Sequence, residues 1–255
     1  MCLVLVAYRC HPRYPLIVAA NRDEFYRRPT RQAGFWDDHP EVLAGRDLKH
    51  GGTWMGITRS GRFATVTNYR QAAGHMDHAL SRGLMVRDYL VGGTQAASFA
   101  EGINSRKDAY NGFNLLLGDM EGLLYLSNRK QGPEKVSHGV HALSNHLLDT
   151  PWPKVVRSLE AFQRAILNPD LRDKGPLLEV LADRTPAPDE ELPETGFGTE
   201  WERILSPVFI VSESYGTRTS TAITVDRNAR VSFEERSFRY PGDRGHAVEF
   251  QFQLE

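Results

Sequence analysis

Cys2 is the residue whose type and position carry the most chemistry. A thiol attacks carbonyls as its thiolate, and free cysteine keeps its proton up to about pH 8.5, so it needs a base. If Met1 is removed, Cys2 supplies one itself. A chain-terminal α-amine, with an ordinary pKa of about 7.7–8.0, accepts a proton at neutral pH. Cysteine is small enough that removal of the preceding methionine is the expectation, which would put nucleophile and base on one residue. By itself, a cysteine opening an apolar strand is ordinarily a small core side chain, and Cys10 is read that way. The second constellation is Asn21-Arg22-Asp23-Glu24, placed directly after the apolar run 16–20. Such a cluster is commonly a solvated strand end. Read as chemistry, Asp23 would orient the Cys2 amine and Arg22 would favour thiolate.

These residues meet only if the runs 3–8 and 16–20 form a hairpin, and His11-Pro12-Arg13-Tyr14-Pro15 is a fitting connection. Two more hairpins are expected, 53–58 with 62–67 across Arg59-Ser60-Gly61, and 113–118 with 123–127 across residues 119–122. Helical spacing marks 81–91, with Ser81 as N-cap, then 94–103, 153–167 and 177–181; Pro153 suits a first helical turn. Residues 184–199, rich in Pro, Gly and acids, read as a surface loop. Strands return at 208–211, 220–226, 230–238 and 247–252. Strands, then helices, then strands give an α+β class with stacked layers, and one domain over 1–255 is preferred because the last strands are too few for a core of their own.

Composition bounds the partners. The 255 residues are 40% hydrophobic and 25% charged, as in an ordinary globular protein. A net charge of −1 gives no field towards nucleic acid or an anionic membrane. No apolar run approaches the ~20 residues that span a bilayer, no basic segment precedes run 3–8 as in a signal peptide, and two cysteines build no disulfide framework. A cytoplasmic protein is expected. The nine histidines, including His138, His141 and His146, lack a zinc-site pattern, so no metal is expected. No phosphate-binding glycine loop points to a cofactor and no Gly-x-Ser-x-Gly elbow occurs. The cluster Arg22, Arg27, Arg28 and Arg31 is basic, but Asp23, Glu24, Asp37 and Asp38 offset it.

Cys2 followed by Asn21-Arg22-Asp23-Glu24 resembles the NRDE family, also called the transport and Golgi organisation protein 2 family. The likeness continues through Gly51-Gly52-Thr53-Trp54, Thr67-Asn68-Tyr69-Arg70, Ser81-Arg82-Gly83, Phe113-Asn114-Leu115-Leu116, Leu143-Ser144-Asn145, Trp152-Pro153-Lys154 and Tyr215-Gly216-Thr217-Arg218-Thr219-Ser220. The resemblance implies a branch of the N-terminal nucleophile hydrolases, with a four-layer α-β-β-α sandwich. It is similar to choloylglycine hydrolases and penicillin V acylases, which cleave non-peptide amides with an N-terminal cysteine. Carried over, Cys2 is the nucleophile, Asp23 holds the amine, and Asn68 donates to the oxyanion. Asn145 lies near the amine and Arg218 beside the thiol. Asn21, Arg22, Trp54 and Tyr69 are expected at the substrate. The arginine those hydrolases carry three residues before the aspartate is Ala20 here; Arg22 is the candidate substitute, on the opposite strand face from Asp23. The expected partner is a small acyl or amide substrate. The family also implies a rival from another class, a non-catalytic carrier of haem or of acyl-CoA lipids, since a fold does not fix a function.

Overall fold

The computed structural model describes residues 2–255. Its strands are β1 (Cys2–Tyr8), β2 (Leu16–Phe25), β3 (Thr30–Phe35), β4 (Val42–Asp47), β5 (Met55–Thr58), β6 (Phe63–Asn68), β7 (Phe113–Gly118), β8 (Leu123–Ser127), β9 (Glu134–Lys135), β10 (Gly139–Leu143), β11 (Tyr215–Val225), β12 (Arg230–Ser237) and β13 (His246–Gln253). The α-helices are α1 (Arg82–Val91), α2 (Ala96–Asn104), α3 (Pro153–Ala165), α4 (Gly175–Val180) and α5 (Thr199–Ile204). One six-stranded sheet runs β10-β1-β2-β11-β12-β13 and one seven-stranded sheet runs β3-β4-β5-β6-β7-β8-β9; all pairings are antiparallel.

Strand alternation explains the layers. Along β1 and β2, Val4, Val6, Val18 and Ala20 face the second sheet and pack on Leu43, Trp54, Met55 and Phe63. The residues between them, Leu3, Leu5, Ile17 and Ala19, face away and pack under Val155, Phe162, Leu177 and Leu181 of the α3–α4 region. The second sheet likewise turns Ala64, Val66, Leu115 and Leu117 outward onto Met85, Val86 and Tyr89 of α1 and Ile103 of α2. The central strands of each sheet are buried on both faces, so the order is helix, sheet, sheet, helix, as expected. Among the described residues, no helix is long and apolar enough to cross a membrane.

Four local features differ from the sequence expectation. β2 does not stop at Ala20; it carries Asn21-Arg22-Asp23-Glu24 inside the strand, paired on one side with β1 and on the other with β11. Two neighbours satisfy its backbone, so polar side chains do not end it. Residues 208–211 form no strand, only a bridge from Val211 to Gly216, although Val208, Phe209 and Ile210 are buried. The helix α5 and the strands β3, β4, β9 and β10 carry too weak a period to be read in advance. Finally, β11 holds a bulge between Thr217, opposite Asp23, and Thr219, opposite Arg22, leaving Arg218 as the extra residue.

Candidate active site

The site forms where β1 begins. Cys2 lies opposite Arg22 in the β1–β2 pairing, so both side chains share the face turned to the second sheet. The Arg22 guanidinium lies 4.3 Å from the ring centre of Trp54 on β5's approach. The Trp54 ring rests against Gly45, where a Cβ would come within 2.1 Å of it, so the glycine makes room for the stack. Cys2, Arg22 and Trp54 line a small cavity of about 10 Å³ with Thr65 and Thr221, room for one water at most, since a water needs roughly 10–15 Å³. Burial pushes the Cys2 thiol up, Asp23 adds to the rise, and Arg22 opposes it.

Asp23 takes the opposite face of β2 and is 3% exposed. The bulge aims Thr217 at it, and the Thr217 hydroxyl donates to Asp23 Oδ1 at 2.7 Å. The Tyr215 hydroxyl donates to its carbonyl oxygen at 3.0 Å. Burial pushes the Asp23 carboxyl up, and Lys154, the Thr217 hydroxyl and Arg70 pull it back. Lys154, on α3, is as buried as Asp23; its Nζ donates to the Leu205 carbonyl at 3.1 Å. Arg70 is bound to Glu202 of α5 in a buried salt bridge, and Thr195 donates to the same carboxylate. The result is a buried group of two cations, Arg70 and Lys154, and two carboxylates, Asp23 and Glu202.

Residues 144–146 tie the two sheets together beside Cys2. Ser144 Oγ donates to the Cys2 carbonyl at 3.1 Å, and the Thr67 hydroxyl donates to the Ser144 carbonyl at 2.6 Å. Asn145 Nδ2 donates to the Asn68 carbonyl at 3.0 Å, and Asn145's carbonyl accepts from the Arg70 N–H at 2.6 Å. Asn145 is thus fully buried and fixes the end of β6, where Asn68 and Tyr69 reach the surface of a large cleft.

That cleft, of about 870 Å³, is walled by Asn68, Tyr69, Arg70, Arg82 and Tyr215, with Arg27, Arg28, Lys49 and Arg129 further out and Phe25, Phe197 and Trp201 as aromatic surface. Glu24 is the carboxylate in this lining. Arg28 is paired with Asp47 at 2.6 Å. Arg82 donates to the Gly112 carbonyl at 2.9 Å, and its charge is felt at Cys2. The fields of Cys2 and Asp23 also reach Tyr215, whose hydroxyl burial holds well above the ordinary tyrosine value. Cleft wall and thiol are therefore electrostatic neighbours, although Cys2 itself opens on the small cavity.

The structure brings Cys2, Arg22, Asp23, Trp54, Asn68 and Asn145 to one end of the sandwich. It gives two expected residues other work. Asn21 is 1% exposed; its Nδ2 donates to the Leu181 and Val208 carbonyls (2.8 and 2.9 Å) and its Oδ1 accepts from Ser220 Oγ (2.6 Å). It braces β2 to the α4 side instead of lining the cleft, because strand alternation sends it there. Arg218 donates to the carbonyls of Phe25, Arg28 and Phe238 at 2.8, 3.2 and 3.0 Å, so it supports the turn after β2. Met1, and with it the question of its removal, lies outside the described residues. Lys154, Arg70, Arg82 and Thr217 were missed as site residues, though each sits inside a segment quoted above for the family resemblance. Glu202 gave no signal. Among the described residues, no group of three His, Cys, Asp or Glu side chains gathers as a metal site.

Two antiparallel sheets between helical layers define a class of fold. A mutant of the conjugated bile acid hydrolase from Clostridium perfringens superposes over 100% of this chain and 97% of its own, with a TM-score of 0.52 at 9% identity. The fold is of the N-terminal nucleophile hydrolase type. Within it, the chain belongs to the Transport and Golgi organisation 2 family, whose model matches residues 1–240. The Mus musculus Transport and Golgi organization 2 homolog is 34% identical over 258 residues, 93% of each chain. The Drosophila melanogaster Transport and Golgi organization protein 2 is 28% identical over 263 residues, 93% of this chain and 92% of its own.

Proposed function

We propose that the chain, once Met1 is removed, is an N-terminal-cysteine hydrolase of a non-peptide amide or related acyl bond. The observation that carries this reading is the β1–β2 register. With Cys2 opposite Arg22, Asp23 stands one residue beyond the start of the described strand, where a carboxylate meets a chain-terminal amine. In the reaction, Cys2 Sγ bonds to the substrate carbonyl carbon as its proton passes to the α-amine. The oxyanion takes hydrogen bonds from the Asn68 side-chain amide and a backbone N–H; one such donor is typically worth ~10²–10³ in turnover. The C–N bond breaks as the amine returns its proton to the leaving nitrogen. Water then hydrolyses the thioester and regenerates the thiol. Asn145 acts through Asn68, by fixing its backbone, and Arg22 favours the thiolate.

The test combines mass spectrometry of the mature N-terminus with covalent labelling by an electrophilic acyl amide. The expected outcome is a chain starting at Cys2, labelled there, and unlabelled in Cys2→Ala and Asp23→Asn. Retained Met1 on protein purified from its own host overturns the mechanism.

One observation favours a second reading. The thiol opens on about 10 Å³ while a cleft of about 870 Å³ beside it carries cations and aromatic rings. A cleft of that chemistry suits a large anionic amphiphile, and non-catalytic carriage of haem or acyl-CoA fits it without turnover. A Soret band on adding haem, lost on replacing one His or Cys, would favour that reading; acyl transfer to Cys2 would exclude a purely passive carrier.

A further inference from the structure

Asn114 is the one polar side chain of β7, and it is fully buried. Alternation turns it into the layer between the sheets, on the face that also carries Leu116. Asparagine is mostly a surface residue, and leucine would fill this place without polar atoms. The segment 113–116 belongs to the family likeness, yet no step of the proposed reaction uses it.

The Asn114 amide is bonded on three sides. Its Oδ1 accepts from the Tyr125 hydroxyl at 2.8 Å, and its Nδ2 donates to the Thr67 hydroxyl at 3.2 Å and to the His146 carbonyl at 2.9 Å. Thr67 lies directly opposite on β6. Tyr125 is diagonal to it on β8, where Ser127 is the direct partner. Only one order of protons satisfies the group. The His146 carbonyl can only accept, so Nδ2 faces it and Oδ1 faces Tyr125, whose hydroxyl must donate. Burial pushes that hydroxyl up to about 12, so it keeps the proton it gives. Its oxygen in turn accepts from the Leu148 N–H at 3.2 Å. The Ser144 carbonyl takes the Thr67 proton at 2.6 Å, which leaves the Thr67 oxygen to accept from Asn114.

These bonds converge on residues 144–148, which form neither helix nor strand, so side chains must fix their backbone. Asn114 reaches Ser144 through Thr67, His146 directly, and Leu148 through Tyr125. The same segment makes two contacts at the site, Ser144 Oγ to the Cys2 carbonyl at 3.1 Å and Asn145 Nδ2 to the Asn68 carbonyl at 3.0 Å. We infer that Asn114 is a positioning residue: it fixes residues 144–148 from inside the sandwich, and through Ser144 and Asn145 it sets the backbones of Cys2 and Asn68 relative to each other. The inference rests on the hydrolase reading for its purpose, but the hold on the segment stands on the hydrogen bonds alone.

The first experiment is amide hydrogen exchange by NMR on the full chain, wild type against Asn114→Leu. The Leu148 N–H and the Arg70 N–H, which donates to the Asn145 carbonyl, should lose about tenfold or more protection beyond any loss in the β4–β5 pairing, the scale of one buried polar group left unsatisfied. An equal loss throughout overturns the inference and leaves Asn114 a core residue. If Asn114→Leu does not fold, Tyr125→Phe keeps the ring and removes the donor to Asn114, and the same comparison is read at Arg70. The second experiment follows labelling of Cys2 by the electrophilic acyl amide. Thr67→Val, which keeps the volume, should slow labelling about tenfold or more, and Thr67→Ser, which keeps the hydroxyl, should restore most of it. A smaller fall, or one that serine does not reverse, overturns the role at the site. If the wild type takes no label, the hydrolase reading fails and hydrogen exchange alone decides the hold of Asn114.

Discussion

Glu235→Gln should abolish a pH dependence of stability that the wild-type sandwich carries between its sheets. Glu235 lies on β12, is 1% exposed, and reaches across to β3, where the pairing irregularity between Arg31 and Gly34 frees the Ala33 N–H to donate to its Oε1 at 2.8 Å. The Thr221 hydroxyl donates to Oε2 at 3.3 Å, Ser237 Oγ donates at 3.4 Å, and Arg22 is the charged group that acts on it. Burial outweighs these and pushes the carboxyl from 4.5 up to about 7. The folded chain therefore holds this proton more tightly than the unfolded chain. Its contribution is complete below pH 4.5, declines as pH rises, and is gone above pH 7. At 1.36 kcal/mol per pH unit, the interval amounts to about 3 kcal/mol. Glutamine keeps an acceptor for Ala33 and has no proton to lose. Urea unfolding, followed by the fluorescence of the four tryptophans, should find the variant near wild type at pH 4.5 and more stable by up to about 3 kcal/mol at pH 8. An equal difference at the two pH values would refute the assignment of a buried, proton-bearing Glu235.

Glu202→Gln should leave Arg70 buried beside a neutral amide and cost about 3–5 kcal/mol in urea unfolding, as loss of one partner from a buried pair does. Gly45→Ala should force the Trp54 ring from its seat, costing about 1–3 kcal/mol and shifting the tryptophan emission as the Arg22 stack opens. Thr217→Val should withdraw the hydroxyl from Asp23, cost about 1–3 kcal/mol, and raise the Asp23 midpoint in carboxyl NMR.

The layers were legible because they rest on strict period. Residues 3–8 and 16–20 are continuous apolar runs, 113–118 and 123–127 are apolar but for Asn114 and Ser127, and 153–167 repeats at helical spacing, which is what strands and helices buried on their faces show. Alternation also put Arg22 and Asp23 on opposite faces of one strand, and the structure has them so. The polar half of β2 was not legible as strand, because its burial comes from β11, which lies about 200 residues away in sequence. Arg70, Lys154 and Glu202 were hidden for a related reason. Each looks like a surface residue until β6, α3 and α5 converge, and charge alone does not tell a solvated side chain from one member of a neutral buried group. Asn21 and Arg218 sit in the most recognisable segments of the chain, yet their polar atoms are spent on backbone carbonyls and Ser220; a segment's likeness does not say which of its residues meets the substrate.

The additional residue in β11 acts as a change of phase. Before it, an odd-numbered side chain, Thr217, looks towards Asp23 and the helical layer; after it, the odd-numbered Ile223 and Val225 look into the space between the sheets, and the even-numbered Ala222 looks outward. Removing the codon of Arg218 would take out only the supernumerary residue and set Thr217 and Thr219 side by side opposite Asp23 and Arg22, so both ends of the strand would keep their faces. Removing a codon between Ala222 and Val225 would instead turn part of the strand to the wrong face. A screen of single-residue deletions along β11 should therefore find tolerance centred on Arg218 and lost towards Val225.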